Sequence, residues 1–236
     1  MSHIHVARVG SIATITIDRP ARFNSLDVTT AQDFRRAGLQ CARDSGVRVV
    51  VLRGLPGMFC SGADLKFVRD GADGGDTGYL APGAVRGGYG ERFKQILEYI
   101  HSTISEIRRA PKPFIAAVDG VAGAGGFGIA MCCDLVLAST RANFEWAYAK
   151  TGLTGAESST FLLPRVIGWR RAMEMMLLNP RLDAAPALEY GLVNAVYDVD
   201  RFDAAVGETA EQLAAGPAGA FAVAKELLNQ AAWFAA

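Results

Sequence analysis

Two runs of almost unbroken apolar, β-favouring sequence, residues 47–52 (VRVVVL) and 114–118 (FIAAV), constrain this chain more than any other feature in it. A strand that is apolar on both sides must be covered on both faces, which is how parallel sheets are built, and parallel neighbours need a long crossover between them. The sequence between the runs can supply one. Phe93, Ile96, Leu97, Ile100, Ile104 and Ile107 recur at helical spacing, and Pro111 and Pro113 stop that helix just before the second run. A third run, 135–138, follows a stretch long enough only for a short helix. The pattern predicts an α/β domain with right-handed connections. Ahead of it, residues 3–9 and 12–17 read as a hairpin turning at Gly10-Ser11, with Asp18-Arg19-Pro20 ending the second strand. Val28, Ala31, Phe34 and Cys41 mark a helix with Asp27 as N-cap and Gly46 as its close. The last third reads as helices over 169–178, 184–190 (with Gly191 as C-cap), 206–214, and from Pro217 into Trp233-Phe234.

Composition narrows the function classes. Half of the 236 residues are apolar and 20% are charged, enough to fill one sizeable core and too apolar for a disordered chain. Lys and Arg total 24, as do Asp and Glu, so there is no basic surplus for nucleic acid or an anionic membrane. No apolar run approaches the roughly 18 residues of a membrane span, and the first ten residues lack the apolar stretch of a signal peptide, so a cytoplasmic protein is expected. Cys41, Cys60, Cys132 and Cys133 have no CxxC spacing and read as buried free thiols. His3, His5 and His101 are isolated from other ligand types, so no metal is expected. Residues 71–90 carry eight glycines and read either as a lid or binding loop or as plain surface disorder. There is no G-x-S-x-G, Walker A or H-E-x-x-H motif to anchor a serine-hydrolase, P-loop or zincin reading.

The segment 123–128 (GAGGFG) satisfies the dinucleotide fingerprint G-x-G-x-x-G, and Glu145 follows about 20 residues later, where a ribose-binding acid belongs. Its context does not fit. Residues 119–122 separate the strand from the first glycine, where the fingerprint needs an immediate turn, and the following helix is short. A second reading is that Gly125-Gly126 presents backbone N–H groups at a helix start, where unsatisfied amides and the helix dipole favour negative charge. A similar turn, 59–65 (FCSGADL), follows the strand 47–52. Two such turns converging on one oxygen make an oxyanion hole, each donor worth about 3–4 kcal/mol to a transition state. The alternative is that these glycines only permit close helix–strand packing. Spacing alone leaves both open.

Four segments, 15–27 (ITIDRPARFNSLD), 59–65 (FCSGADL), 113–134 (PFIAAVDGVAGAGGFGIAMCCD) and 189–196 (EYGLVNAV), resemble the enoyl-CoA hydratase/isomerase family, the crotonases. Their order and spread carry the resemblance over nearly the whole chain. It implies the crotonase-like α/β fold, a repeated β-β-α spiral over 1–190 followed by a C-terminal helical segment, 191–236, that is short for the family. It implies a homotrimer or hexamer acting on an acyl-CoA thioester in fatty acid metabolism, as a lyase or isomerase, with no cofactor beyond the coenzyme A of the substrate. Carried over by position, the oxyanion amides belong to Ala63 and Gly125, with Gly126 beside them. Arg22 and Phe23 would lie against the nucleotide, and Ser61, Asp64 and Leu65 would cradle adenine and pantetheine.

The departures from the family pattern bear on the chemistry. Where the resemblance places the two glutamates of a hydratase, this chain has Gly128 and Tyr148. Glycine moves no proton, and a phenol of ordinary pKa about 10 is a poor base at neutral pH, so two-glutamate hydration is not expected. Isomerase-like and dehalogenase-like members place an aspartate after the Gly-Leu of a segment like 151–153, and the matching residue is Ala156, with Glu157 beside it. Glu157 either turns into the site as a base or nucleophile or points to solvent. His101 matches a histidine of the benzoyl-CoA dehalogenases, yet its apolar neighbours suit a packed core histidine. Tyr148 is placed to hydrogen-bond a substrate group, and Trp146 reads as core. The resulting expectation is isomerase-type proton transfer, with hydrolytic dehalogenation or thioester hydrolysis by Glu157, or non-catalytic acyl-CoA binding, as alternatives. Trp233 and Phe234 give the chain an apolar end; either a partner subunit is expected to cover it or the acyl pocket is more open than is usual for the family.

Overall fold

The computed structural model describes residues 2–70 and 89–234. In chain order it contains β1 (Ile4–Val9), β2 (Ile12–Ile17), α1 (Val28–Arg43), β3 (Val49–Gly54), β4 (Met58–Cys60), α2 (Leu65–Asp70), α3 (Tyr89–Arg109), β5 (Phe114–Val118), β6 (Val121–Gly123), α4 (Gly125–Cys132), β7 (Leu135–Ser139), β8 (Asn143–Glu145), α5 (Ser159–Ile167), α6 (Trp169–Leu178), β9 (Arg181–Asp183), α7 (Ala184–Glu189), β10 (Ala195–Tyr197), α8 (Val199–Ala215) and α9 (Ala218–Phe234). Most of the glycine-rich stretch 71–90, and the side chains of Trp233 and Phe234, lie outside the described residues.

The larger sheet runs in the order β1-β2-β3-β5-β7-β10, antiparallel only in the β1–β2 hairpin and parallel from β2 onward. Its central strands are covered on both faces, as their unbroken apolar sequence demands. Val50 and Leu52 of β3 and Phe114, Ala116 and Val118 of β5 pack into the core shared with α1, α3 and α4. The alternate residues, Val49, Val51, Ile115, Ala117 and Leu137, pack under Phe202, Val206 and Ala210 of α8. Helix α8 begins at Val199, earlier than the periodicity indicated, because of its first turn (Val199 to Phe202) only Phe202 is buried against the sheet. Strand β10, within the segment read as a separate helical C-terminus, pairs with β7 and completes this sheet.

A second, smaller sheet, β4-β6-β8-β9, was not legible in the sequence. Its strands are three residues each, below the length at which alternation is readable; β4, β6 and β8 each continue out of a turn that follows a strand of the larger sheet, and β9 arrives from α6 to pair with β8. Asp119 joins the two layers. At the end of β5 it accepts from the Ser139 hydroxyl at 2.6 Å, from the Gly57 N–H at 2.7 Å and from Arg141. Among the described residues no helix is long and apolar enough to cross a membrane.

Burial alone pushes the Asp119 carboxyl up, but the hydrogen bonds from Arg141, Ser139 and Gly57 outweigh it and hold it at about 2. An unfolded Asp titrates near about 3.9, so this contribution is complete above that value and is lost as pH falls towards about 2. Asp119→Asn is expected to lower stability at neutral pH by about 1–3 kcal/mol. It should also flatten the fall of the urea midpoint between about pH 4 and about pH 2, leaving the share of other depressed carboxylates.

Candidate active site

The segment after β2 is fixed by its own side chains. Residues Pro20–Arg22 form a 3-10 turn, and Phe23 (φ 54°) and Asn24 (φ 52°) then take left-handed backbone, which non-glycine residues rarely adopt. The Asn24 side chain supports that path by accepting from the Arg19 N–H at 2.7 Å and donating to the carbonyls of Met58 and Phe59 at 2.9 and 3.2 Å. Asp64, just before α2, closes the seam. It accepts from Arg19 at 2.7 Å, from Arg22 at 3.0 Å and from the Phe67 N–H at 3.0 Å. Burial would raise its carboxyl, but Arg22, Phe67 and Arg19 together hold it at about 2, so it stays ionised. Expected against coenzyme A, the Asp64 carboxylate is instead 3% exposed and committed to these partners. Its part is to hold the turn. Phe23 and Leu65 do offer apolar surface, at 68% and 41% exposure, with Ser61 half-buried between them in sequence.

The turn at Gly62 meets the start of α4. A methyl group added to Gly62 would lie 2.8 Å from the Gly125 nitrogen and 3.1 Å from the Gly123 carbonyl oxygen. The N–H groups on either side of this contact are engaged: Asp64 donates to Leu26 O, Ala124 to Glu145 O and Gly128 to Ala124 O. Among the described residues those of Ala63 and Gly125 have no backbone acceptor. The two turns singled out in the sequence are therefore brought together. Gly126 faces elsewhere. A side chain there would collide with the Cys60 carbonyl, so this glycine serves close packing of α4 on β4 and does not line open space.

Glu157 lies against the same place. Its side chain is 2% exposed, and its Oε1 would be 3.3 Å from a methyl on Gly125. It does not point to solvent. The room it occupies comes from Gly128, one turn along α4: a methyl there would sit 2.5 Å from the Glu157 Cβ. The loop has a costly backbone, with Glu157 at φ 51° and Ser158 at φ 56°. Side chains hold it at both ends of the Glu157 residue. The Glu157 N–H donates to His101 Nε2 at 3.2 Å, and the Cys132 thiol reaches the Glu157 carbonyl at 3.4 Å. His101 is thus open to solvent on one side and not a packed core histidine. Burial pushes its pKa down, and an Nε2 that accepts a hydrogen bond carries no proton, so the ring is neutral here.

Tyr148 also takes a role other than the one expected. Its hydroxyl donates to Glu157 Oε2 and so meets protein rather than open space. The ring is fixed by an edge-to-face contact with Trp146, 5.0 Å between centroids, and Trp146 in turn packs on Phe127 of α4. Trp146 is core, as read. Burial pushes the Tyr148 phenol well up and Glu157 adds to this, so it remains a donor. For Glu157, burial raises the carboxyl and the Tyr148 hydrogen bond lowers it, leaving it at about 7. The outcome is a protected carboxylate that gains and loses a proton near neutral pH, beside two uncommitted backbone amides. Burial pushes the thiols of Cys60 and Cys132 up to about 12, so neither is available as a nucleophile at neutral pH. Among the described residues, no group of three His, Cys, Asp or Glu side chains is placed to hold a metal ion. Arg19 and Asn24 escaped attention as single residues in the sequence, although both stand inside the segment 15–27 that carried the resemblance.

Residues 7–235 match the family model described as enoyl-CoA hydratase/isomerase. Among curated proteins, the chain is 35% identical to 4-chlorobenzoyl coenzyme A dehalogenase-2 of Arthrobacter sp over 91% of its own length and 73% of the relative's. It is 33% identical to 1,2-epoxyphenylacetyl-CoA isomerase of Escherichia coli (strain K12), over 93% of this chain and 79% of that one. Among solved structures, an enoyl-CoA hydratase from Mycobacterium avium subsp. paratuberculosis K-10 superimposes with a TM-score of 0.84 at 33% identity, covering 99% of this chain and 83% of that one.

Two substitutions probe the geometry. Gly128→Ala is expected to cost about 1–3 kcal/mol, read by chemical denaturation, because the new methyl overlaps Glu157. Tyr148→Phe removes a hydrogen bond to the charged form of Glu157, so carbon-detected NMR of the labelled carboxyl should show its pKa rising above about 7.

Proposed function

Because the chain belongs to the enoyl-CoA hydratase/isomerase family, we propose that it is an acyl-CoA isomerase in which Glu157 carries the proton. The observation that supports this reading is the Glu157 carboxylate itself, buried against Gly125 and titrating at about 7. In the proposed step the thioester oxygen accepts from the N–H groups of Ala63 and Gly125. Glu157 takes a proton from a carbon made acidic by the thioester, and the electron pair moves into the carbonyl as an enolate. The same carboxylic acid then returns the proton to a different carbon of the conjugated system. One group gives back what it took, so the shift consumes no water and needs no second acid.

That economy matches the residues present. Hydration by a glutamate pair calls for a second carboxylate facing the substrate. Asp64 is committed to Arg19 and Arg22, and Glu145 to Asn179 and Lys150. Gly128 and Tyr148 stand where the family's hydratases carry their glutamates. The exposed Trp169, Leu177 and Leu178 leave apolar surface on α6, which supports symmetric self-association of the kind expected from the family.

A second reading rests on His101. A neutral imidazole in contact with the Glu157 loop, and likeness to a 4-chlorobenzoyl coenzyme A dehalogenase, favour Glu157 as a nucleophile. Glu157 would then displace halide from an aryl-CoA, and water would cleave the resulting ester, losing its proton to His101 Nε2 once the Glu157 N–H has released that nitrogen. Halide release together with a mass increment on Glu157 in rapid-quench samples would select this reading over the isomerase.

Glu157→Gln tests both by removing the titrating group while keeping its shape. Turnover on a panel of enoyl- and aryl-CoA esters is expected to fall about 100- to 10,000-fold with binding of the esters retained. In the unsubstituted protein, the rate should rise with pH through about 7, because only the deprotonated carboxylate accepts a proton. Wild-type turnover by the Gln variant would overturn the assignment.

A further inference from the structure

His101 and Ser158, one hydrogen-bonded to Glu157 and the other next to it in sequence, also line a cavity of about 710 Å³ between α3, the start of α5 and α9. Part of its wall is apolar, supplied by Ile104, Phe161, Leu162 and Val223. The polar part of the wall carries three cations, Arg108 and Arg109 on α3 and Lys225 on α9. These cations are not equivalent. Lys225 bonds Asp134 and the carbonyl of Ile107, both at 2.7 Å, and the carbonyl of Lys112 at 3.1 Å. Arg109 is exposed. Arg108 is half-buried, and one arm of its guanidinium donates to Asn229 Oδ1, while Asn229 donates back to the Arg108 carbonyl at 2.8 Å. Among the described residues no carboxylate forms an ion pair with it. Glu226, the acid at this cavity, is exposed and accepts from Gln230 at 3.2 Å.

Arg108 follows His101 by two helical turns, about 10 Å along α3. A guanidinium is a planar fork of donors matched to a carboxylate, and one held half out of water without an anion has unmet capacity for that group. A methyl-ended chain would meet the same fork and satisfy none of it. That rise, from the ring that bonds the Glu157 N–H to this cation, is about 10 Å, the length of a medium-length acyl tail. We propose that this cavity holds the distal end of the acyl group and that Arg108 selects acyl-CoA esters ending in a carboxylate. The inference rests on the reading that the thioester sits beside Glu157.

The test is equilibrium binding to the full chain carrying Glu157→Gln, so that chemistry does not consume the ligand. Matched esters differ only at the far end: hexanoyl- against adipoyl-CoA, and octanoyl- against suberoyl-CoA. At least one carboxylate-ended ester is expected to bind more tightly than its methyl-ended partner. Adding Arg108→Met should weaken that ester about 10- to 100-fold, the measure of a lost charge-assisted hydrogen bond, and leave the methyl-ended one unchanged or tighter. Arg108→Lys, which keeps the charge and loses the fork, should retain part of the preference. Absence of any preference, equal weakening of both members of a pair, or weaker binding of coenzyme A alone would each overturn the proposal; the last would mean that Arg108 serves the nucleotide. Failure of the catalytic reading looks different, because Glu157→Gln would then turn over normally while the preference for a carboxylate end remained.

Discussion

Helix α4 is approached by backbone and side chain from several directions at once, and the site depends on that crowding. On one side Gly126 lets the helix rest on the Cys60 carbonyl, and at its start the Gly125 nitrogen meets the Gly62 turn. One turn along, Gly128 leaves the volume into which Glu157 fits. Each contact is shorter than a Cβ would permit or close to that limit, so the spacing is set by the absence of side chains and not by attraction between them. The helix itself is apolar all round and buried throughout, which keeps water away from the groups it gathers.

A carboxylate in such a place is costly to charge, and the structure lowers that cost only in part. Tyr148 supplies one hydrogen bond, and the neutral His101 supplies no compensating charge, since its Nε2 is taken by the Glu157 N–H. The carboxyl is left at about 7, close to where a base that must also act as an acid is most useful. Full pairing would have produced the opposite result, as Asp64 and Asp119 show: both are nearly buried, both are bound by arginine and backbone N–H groups, and both are held at about 2. Thus the same fold keeps two carboxylates ionised at neutral pH and leaves one titrating at about 7, and the difference lies in the number of donors facing each.

Those two carboxylates also tie together the segments around the site. Asp64 ties the segment after β2 to the turn before α2, and Asp119 ties the end of β5 to Gly57 and Arg141, which positions the smaller sheet. Between them they fix both ends of the path 55–64, and with it the Gly62 turn that meets Gly125. The left-handed residues Phe23 and Asn24 persist because Asn24 bonds Arg19, Met58 and Phe59, and Glu157 and Ser158 persist because His101 and Cys132 hold the loop. Most of the positive-φ non-glycine residues lie in segments that bring the site together, with Asn179 at the C-cap of α6 outside them.

The first five strands of the larger sheet were legible in the residues, because Val49–Gly54 and Phe114–Val118 are apolar on both faces and the helix between them carries a clear period, whereas the three-residue β10 was not. The family segments likewise located the Gly62 and Gly125 turns. Short strands such as β6 and β8 were not legible, since three residues hold no period and pair only when a neighbouring strand is delivered to them. Glu157 marks the same boundary. Its place in the chain, one residue past the matching position, left both an inward and an outward path open. What decided between them was a set of partners outside the local segment: the missing side chain of Gly128, the ring of His101 and the hydroxyl of Tyr148. Local sequence determines which backbone segments form, because propensity and periodicity act over a few residues. The protonation state and direction of one carboxylate depend on volume, desolvation and hydrogen-bond donors that come together only when the chain has packed.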